Sequence, residues 1–258
     1  MKIIDTHTHI YLEDFKTDIS EMLQRAENAG VKYFMLPNID SSSIEDVKSL
    51  NHKFPQSCLP MMGLHPCSVR ENFSDELEIA EKELFENSEI KYYGVGECGL
   101  DFYWDKTFIP QQKQALRTQC NWAKQLELPI ILHSREATDD CIELIRAEQD
   151  GKLKGIFHCF GGTSEQAQQI IDLGFLMGIG GVLTYKKSGL DTVLKNISPE
   201  YLVLETDAPY LTPVPFRGKR NEPAYIDFVL TRLSEVKQMS KDELAAITSR
   251  NAEKLFRL

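Results

Sequence analysis

The chain has 258 residues, 42% of them hydrophobic and 26% charged, a balance that is typical of a globular protein and excludes a disordered or fibrous one. Because 39 acidic residues outnumber 29 basic ones, the formal net charge is -10. This charge excludes a protein that is basic over its whole surface, as proteins that coat duplex DNA are. It leaves open a local anion site that is built on metal ions.

The polarity of the amino terminus and the spacing of the cysteines predict a cytoplasmic protein. No stretch approaches the ~18 apolar residues of a membrane span. The first seven residues are too polar for the core of a signal peptide. The six cysteines contain no Cys-x-x-Cys pair. We therefore expect reduced thiols and no disulfide framework.

Eight short apolar runs predict strands, and longer amphipathic patterns lie between them. In chain order, the runs cover residues 2–6, 32–36, 59–63, 92–96, 130–132, 155–157, 175–178 and 202–205. Several of them are apolar at every position, which is typical of parallel strands that are covered on both faces.

Helices are indicated by apolar residues at three- and four-residue spacing and by capping signals. One helix is expected over residues 110–126 and another from about Pro223. Capping boxes that begin at Thr163 and Ser240 predict two helix starts. Gly30 and Gly174 follow helical patterns, at the position where a C-terminal cap glycine belongs.

Strand–helix alternation over this length favours an α/β fold, a single (β/α)8 TIM barrel that spans residues 1–258 as one domain. A doubly wound open sheet is the alternative, since Gly94, Gly96 and Gly99 form a Gly-x-Gly-x-x-Gly motif after a predicted strand. Residues 101–104 do not resemble the start of a helix, so the dinucleotide-binding interpretation of this motif is weak.

A set of imidazole and carboxylate side chains follows the ends of predicted strands, namely His7, His9, His65, Glu97, His133, His158 and Asp207. In a barrel the carboxyl ends of all strands open on one face, so these groups would converge in one mouth. His7 and His9 are two residues apart in an extended segment and point to the same side. Histidines and carboxylates together bind zinc and similar metals. The sequence therefore predicts a metal centre.

Each of these residues also has a purely structural interpretation. His133 or His158 alone would be a buried histidine with satisfied hydrogen bonds, and Glu97 could be a buried carboxylate that pairs with Arg135. Asp207 could cap a turn. The metal interpretation depends on the joint pattern, because five of the six histidines stand at strand ends and the sixth lies on a helical pattern.

Seven motifs contain or adjoin these residues. They are Ile3-Ile4-Asp5-Thr6-His7-Thr8-His9, Gly63-Leu64-His65-Pro66, Gly96-Glu97-Cys98-Gly99-Leu100-Asp101, Pro129-Ile130-Ile131-Leu132-His133-Ser134-Arg135, His158-Cys159-Phe160, Glu205-Thr206-Asp207-Ala208-Pro209-Tyr210-Leu211 and Arg217-Gly218-Lys219-Arg220-Asn221-Glu222-Pro223. With these motifs the sequence resembles, over essentially its whole length, the TatD-like metal-dependent hydrolases of the amidohydrolase superfamily. It departs from the family pattern at Tyr11, where Asp or Asn is usual, and at Cys98, where an aliphatic residue is common. The change at Tyr11 could alter the loop around the first metal ion.

The resemblance implies a β/α barrel with two divalent metal ions per chain, for which Zn, Mn, Mg, Fe and Ni are candidates. By this resemblance one ion binds His7, His9, Glu97 and Asp207, and Glu97 bridges to a second ion that His133 and His158 complete. The family is usually described as deoxyribonucleases, so the resemblance also implies a phosphodiester substrate.

A paired metal centre suits phosphodiester hydrolysis, because two cations ~4 Å apart can hold an attacking hydroxide and stabilise the charged oxygens of an in-line displacement. We therefore expect a hydroxide bound by both ions to be the nucleophile, Asp207 to be the general base and the bridging Glu97 to be the other catalytic residue. His65, Arg135 and Arg220 are expected to bind the phosphate oxygens of the substrate.

The expected substrate is DNA, single-stranded rather than duplex, cut in the manner of an exonuclease. Tyr103, Trp104 and Tyr210 could stack on bases, although aromatic packing between loops is an equally good interpretation. A hydrolase of a small amide, lactone or phosphoester remains open, and so does a non-catalytic binding protein that a metal stabilises. The sequence calls for no membrane contact and no obligate protein partner.

Overall fold

The computed structural model describes residues 1–258 as a ring of parallel strands that alternate with helices. The strands are β1 (Ile3–Asp5), β2 (Val31–Pro37), β3 (Cys58–Met61), β4 (Val95–Asp101), β5 (Ile130–Arg135), β6 (Gly155–Phe157), β7 (Leu176–Ile179) and β8 (Leu202–Leu204). The helices are α1 (Ile19–Asn28), α2 (Ile44–Lys53), α3 (Phe73–Glu86), α4 (Ile109–Leu126), α5 (Thr138–Glu148), α6 (Ser164–Asp172), α7 (Leu190–Lys195), α8 (Ile226–Lys237) and α9 (Lys241–Phe256).

Hydrogen bonds close the strands into a ring. Neighbours in sequence pair in parallel from β1 to β3 and from β4 to β8. Between β3 and β4, Met62 pairs with Val95 in a parallel bridge. Between β8 and β1, the backbone N–H of Thr6 donates to the carbonyl of Leu204 at 3.0 Å. The α/β barrel predicted from the sequence is confirmed, and the open-sheet alternative is wrong because the last strand meets the first.

Apolar side chains from different strands meet inside the ring. A buried cluster joins Ile4, Met35, Leu59, Met61, Ile131, Ile156 and Val203 with Ala252 and Phe256 of α9. Side chains alternate along a strand, so His133, two residues after Ile131, and His158, two residues after Ile156, extend to the same inner side. The apolar cluster therefore lies directly beneath the histidines in the interior of the barrel.

Strand β4 differs from its prediction. It covers Val95–Asp101, whereas the apolar run ended at residue 96, so Glu97 lies within the strand rather than after it. Gly99 has φ +142°, and a side chain there would clash with the carbonyl oxygen of His133 on β5. Backbone pairing with β5 extends the strand where the apolar pattern has stopped, because glycine lets the two backbones approach closely.

The helix signals correspond closely to the observed helices. The helix predicted over residues 110–126 is α4, and a single 3₁₀ turn, Pro223–Tyr225, precedes α8. Thr163 and Gln166 form the predicted reciprocal capping box, while Ser240 caps α9 by accepting the N–H of Glu243. All six cysteines are free thiols. No helix combines the length and the apolar character that crossing a membrane would require.

Candidate metal centre

A cavity of about 800 Å³ opens at the carboxyl ends of the strands. Its base contains His9, His65, Glu97, His133, His158 and Asp207, and its lining also includes Trp104, Arg135 and Tyr210. His7 is fully buried directly beside Glu97. The structure therefore brings together all seven imidazole and carboxylate groups that the sequence placed at strand ends.

Glu97 lies at the middle of the cluster and offers each of its oxygens to a different pair of histidines. Oε2 lies 3.0 Å from Nε2 of His7 and 3.4 Å from Nε2 of His9. Oε1 lies 2.9 Å from Nδ1 of His133 and 2.9 Å from Nε2 of His158. A carboxylate with this placement can bridge two cations, as in hydrolases with paired metals.

The first group of ligand atoms surrounds Oε2 of Glu97. Nε2 of His7 and Nε2 of His9 are only 3.2 Å apart. Oδ1 of Asp207 lies 3.5 Å from Nε2 of His9 and 3.7 Å from Nε2 of His7. Ligands that sit about 2.1 Å from a common ion are about 3.0–3.4 Å from one another. Two imidazole nitrogens that face each other at this distance fit a cation between them once both are unprotonated.

The second group surrounds Oε1 of Glu97, and a carboxylate lies behind each of its two histidines. Nε2 of His133 lies 2.8 Å from Oδ2 of Asp101, so its hydrogen points away from the centre and Nδ1 is free to bind a cation. Nδ1 of His158 lies 3.5 Å from Oε1 of Glu205. The residues present therefore fit two neighbouring cations that share Glu97.

His65 also approaches this second group, but its hydrogen bonds distinguish it from a metal ligand. Its Nδ1 accepts the backbone N–H of Cys67 at 3.0 Å, so the ring hydrogen is on Nε2. That Nε2 lies 3.3 Å from Oε1 of Glu97. His65 therefore presents a hydrogen-bond donor to the cavity rather than a lone pair.

The electrostatic environment of the centre favours the binding of cations. Burial alone would raise the pKa of Glu97, but His158, His65 and His7 hold that pKa well below its ordinary value. Burial lowers the pKa of His9, yet hydrogen bonds to Asp207 and Glu97 outweigh it and raise the pKa to about 10. The carboxylates of Glu97 and Asp207 therefore bind positive charge strongly, which is the electrostatic condition for a divalent cation site.

Several buried polar residues of the centre received no role from sequence reasoning. Asp101 and Glu205 lie within the quoted motifs and support His133 and His158. Asp5 accepts the N–H and the hydroxyl of Thr206 and joins β1 to β8, and burial raises its pKa to about 8. All three acidic residues lie next to apolar runs, where an acid is expected to be buried and to need a partner. The sequence therefore contained a signal for these residues.

The two predicted arginines have different surroundings. Arg135 lies at the rim of the cavity, where its guanidinium stands 3.8 Å from the centre of the Tyr103 ring. The structure does not bring Arg220 into the cavity, because both of its terminal nitrogens bind the carboxylate of Asp18 at 2.7 and 2.8 Å. Counting charges along the sequence could not show that this arginine already has a partner.

Comparison with known proteins gives a consistent result. The family model described as "TatD related DNase" matches residues 4–257. YabD of Bacillus subtilis, named a metal-dependent hydrolase, is 35% identical over 99% of both chains. A Yersinia pseudotuberculosis protein named "3'-5' ssDNA/RNA exonuclease TatD" is 30% identical over 99% of this chain and 100% of its own. The crystal structure of the TatD homologue YjjV from Escherichia coli superposes with a TM-score of 0.93 at 31% identity, covering 99% of this chain and 98% of that one. The chain therefore belongs to the TatD family and is a metal-dependent hydrolase.

Proposed function

We propose that this protein hydrolyses phosphodiester bonds of single-stranded DNA and removes nucleotides from a strand end. The observation that carries the proposal is the placement of Glu97 between two histidine pairs, at the base of a cavity whose rim holds an arginine without a carboxylate partner. Relatives named single-strand exonucleases support a nucleic acid as the substrate.

We assign one divalent cation to each carboxylate oxygen of Glu97, according to the ligand atoms that surround that oxygen. The first would bind His7, His9, Asp207 and Oε2 of Glu97, and the second would bind His133, His158 and Oε1 of Glu97. When bound, such cations supply charge stabilisation to the phosphoryl group and make a neighbouring water more acidic.

Asp207 is the general base of this proposal. Its side chain is 14% exposed and lines the cavity, so it can meet both the centre and an entering substrate. Burial raises its pKa, but a hydrogen bond from His9 and the charges of His158 and His7 keep the pKa below its ordinary value. The carboxylate is therefore ionised at neutral pH and can accept the proton of the attacking water.

Two donors are placed to hold the phosphate. Nε2–H of His65 points into the cavity beside Glu97, and the guanidinium of Arg135 lies at the rim without an ion pair. A single strand can bend so that its backbone reaches the buried base of the cavity, whereas a stiff duplex holds its phosphates on the outside of a cylinder. This geometry favours single-stranded DNA over duplex DNA, and a strand end over an internal site.

The test uses end-labelled single-stranded DNA and protein loaded with Mn²⁺ or Zn²⁺. The wild-type protein should shorten the strand progressively from one end. Asp207→Asn should keep the fold and lower the rate by about two to four orders of magnitude, as loss of a general base does. Asp172→Asn, on the surface of α6, is the matched control and should retain activity. Near-native activity of Asp207→Asn would contradict the role assigned to this residue.

Metal content tests the ligand assignment separately. Replacing His133 and His158 together by alanine should remove about half of the bound metal, because only the second group loses its imidazoles. Elemental analysis of the wild-type and double-variant proteins measures this directly. An unchanged metal content would refute the assignment of two cation sites.

A small phosphoester, amide or lactone is the second candidate substrate, and the net charge of -10 favours it over a polyanion. A panel that contains single-stranded DNA, duplex DNA, a p-nitrophenyl phosphodiester and a cyclic amide discriminates between the candidates. Turnover of only the small compounds would replace the nuclease proposal with this one.

A further inference from the structure

Three large aromatic side chains are exposed around the mouth of the cavity, and the rings of Tyr103 and Trp104 also contact each other edge to face with their centres 4.8 Å apart. Trp104 is 68% exposed, Tyr103 is 48% exposed and Tyr210 is 51% exposed, whereas Trp122 is only 3% exposed. Trp104 follows β4 and Tyr210 follows β8, and these strands stand opposite each other in the ring of eight. The rings of Trp104 and Tyr210 therefore flank the cavity from two sides and remain available to a ligand.

Arg135 completes a cluster on the β4–β5 side of the mouth. Its guanidinium lies 3.8 Å from the centre of the Tyr103 ring and 5.2 Å from that of the Trp104 ring. It makes no ion pair, so aromatic contacts position the cation and leave its N–H groups free. We call Tyr103, Trp104 and Arg135 the rim cluster.

The rim cluster is fixed to the candidate metal centre through one carboxylate. Oδ1 of Asp101 accepts the backbone N–H of Tyr103 at 2.9 Å and of Trp104 at 3.1 Å, while Oδ2 of the same residue binds Nε2 of His133. A ligand that rests on the cluster is thereby held at a set position relative to the metal ligands. This connection distinguishes the cluster from a solitary exposed aromatic residue.

We propose that the rim cluster is a nucleotide subsite, where Trp104 stacks on an unpaired base and Arg135 binds a phosphate next to the bond that is cut. The inference rests on the proposed nuclease function and adds how the single strand is recognised. Stacking on an aromatic ring accepts every base because every base has a π face, and it requires that the base be unpaired. The guanidinium can meet two phosphate oxygens at once.

Charge on the facing loops favours a polyanion over an apolar peptide as the occupant. Four basic residues lie in the loops after β7 and β8 and make no ion pair, namely Lys186, Lys187, Arg217 and Lys219. Arg217 lies 3.8 Å from the Tyr185 ring, an arrangement that repeats the stacking of Arg135 on Tyr103. These cations offer a path for the backbone although the whole chain carries a net charge of -10.

Tryptophan fluorescence tests base stacking directly, because only one of the two tryptophans is accessible. Metal-loaded wild-type protein is titrated with a ten-residue thymidine oligonucleotide that carries phosphorothioate linkages to slow hydrolysis. An abasic oligonucleotide with the same number of linkages is the matched ligand. We expect quenching by the thymidine strand and little by the abasic strand. Equal quenching by both strands, or quenching by neither, would overturn the proposal.

Binding affinity tests the contribution of each residue. Anisotropy of a labelled phosphorothioate strand should show that Trp104→Ala weakens binding about tenfold, the effect of losing one stacked base. Trp104→Phe should restore most of the affinity, since a benzene ring still stacks. Tyr201→Ala removes an exposed aromatic residue that directly precedes β8, at the other end of the barrel, and should bind like the wild type. Equal affinities for Trp104→Ala and Tyr201→Ala would refute the subsite.

Cleavage of an unmodified thymidine strand by the same preparation separates this inference from the function on which it rests. Cleavage without Trp104-dependent binding overturns the subsite and leaves the nuclease proposal intact. Trp104-dependent binding without cleavage supports the subsite and contradicts the nuclease proposal. Absence of both overturns the two together.

Discussion

At the residue scale, hydrogen bonds behind His9 and His133 decide which nitrogen of each ring faces the candidate metal centre. The phenol of Tyr11 donates to the carbonyl of Pro37 at 2.7 Å, so its oxygen accepts the Nδ1 hydrogen of His9 at 2.8 Å. Nε2 of His9 is therefore the nitrogen that faces Glu97 and Asp207, and it would bind a cation there after losing its proton. Tyr11, one of the two residues at which the sequence departs from the family pattern, is thus a buried support of a candidate ligand.

We expect Tyr11→Phe to reduce metal affinity by about 10- to 100-fold, the usual cost of removing an outer partner of a ligating histidine. The phenyl ring fills the same space, so folding should be retained. Competition with a chromogenic chelator measures the affinity, and Tyr201→Phe on the surface is the control. An affinity equal to that of the wild type would show that Pro37 and Tyr11 do not orient His9.

At the scale of elements, the long loop after β8 is attached to α1 by a network of ion pairs. Arg220 binds Asp18, and Arg25 of α1 binds both Asp18 and Glu222, with its shortest contact to Glu222 at 2.7 Å. A hydrogen bond from Arg220 and partial burial act in opposite directions on Asp18, and the arginines prevail and lower its pKa to about 2. Arg220, which was expected to bind substrate phosphate, therefore connects this loop to the start of α1 instead.

This network has a defined pH dependence. Since the folded pKa of Asp18 is depressed from 3.8 to about 2, its stabilisation is complete above pH 3.8 and disappears as the pH falls through 2. Asp18→Asn should lower the free energy of unfolding by about 0.5–1 kcal/mol at pH 7, a modest value because the side chains are partly exposed to solvent.

Urea unfolding at pH 7 and at decreasing pH measures the effect of Asp18→Asn. The difference between wild type and variant should shrink toward pH 2. The exposed pair of Lys82 and Glu78 on α3 provides a control, and Glu78→Gln should change the midpoint less. A difference for Asp18→Asn that grows on acidification would contradict the assigned ion pairs.

At the scale of the whole molecule, the candidate ligands come from strands around the ring. They follow β1, lie in β4 and β5, or follow β6 and β8. Bound cations would therefore tie distant parts of the barrel together, and a ligand that binds only the folded state stabilises it. Glu97 and Asp207 contribute two of the negative charges in the net -10, so cations in the mouth would also reverse the local sign of charge.

Removing metal should lower the melting temperature by about 5–15 °C, the shift expected when free metal exceeds the dissociation constant 100- to 1,000-fold. Thermal unfolding with and without EDTA, followed by restoration of Zn²⁺ or Mn²⁺, measures it. The variant with alanine at both His133 and His158 should show a smaller shift. Identical melting temperatures with and without EDTA would argue that the centre does not bind metal tightly.

Local patterns in the sequence were enough to predict the alternation of strands and helices and the residues at the strand ends. Apolar runs mark β2 and β6 because a strand buried on both faces needs apolar side chains at consecutive positions. His133 and His158 could be placed at the mouth for the same reason, since each follows such a run. These features depend on neighbours within a few residues, and the chain itself contains that information.

Only the tertiary structure decided the contacts between distant segments. The position of Glu97 inside β4 depends on backbone pairing with β5, and the division of its oxygens between two histidine pairs depends on closure of the ring. Likewise, Arg220 meets Asp18 across 202 residues of sequence. Periodicity and motifs identify which groups can do chemistry, but distances between side chains from different strands are set by packing of the whole barrel. Those distances place Glu97 between two histidine pairs, keep Arg220 out of the cavity and leave Trp104 exposed at its rim.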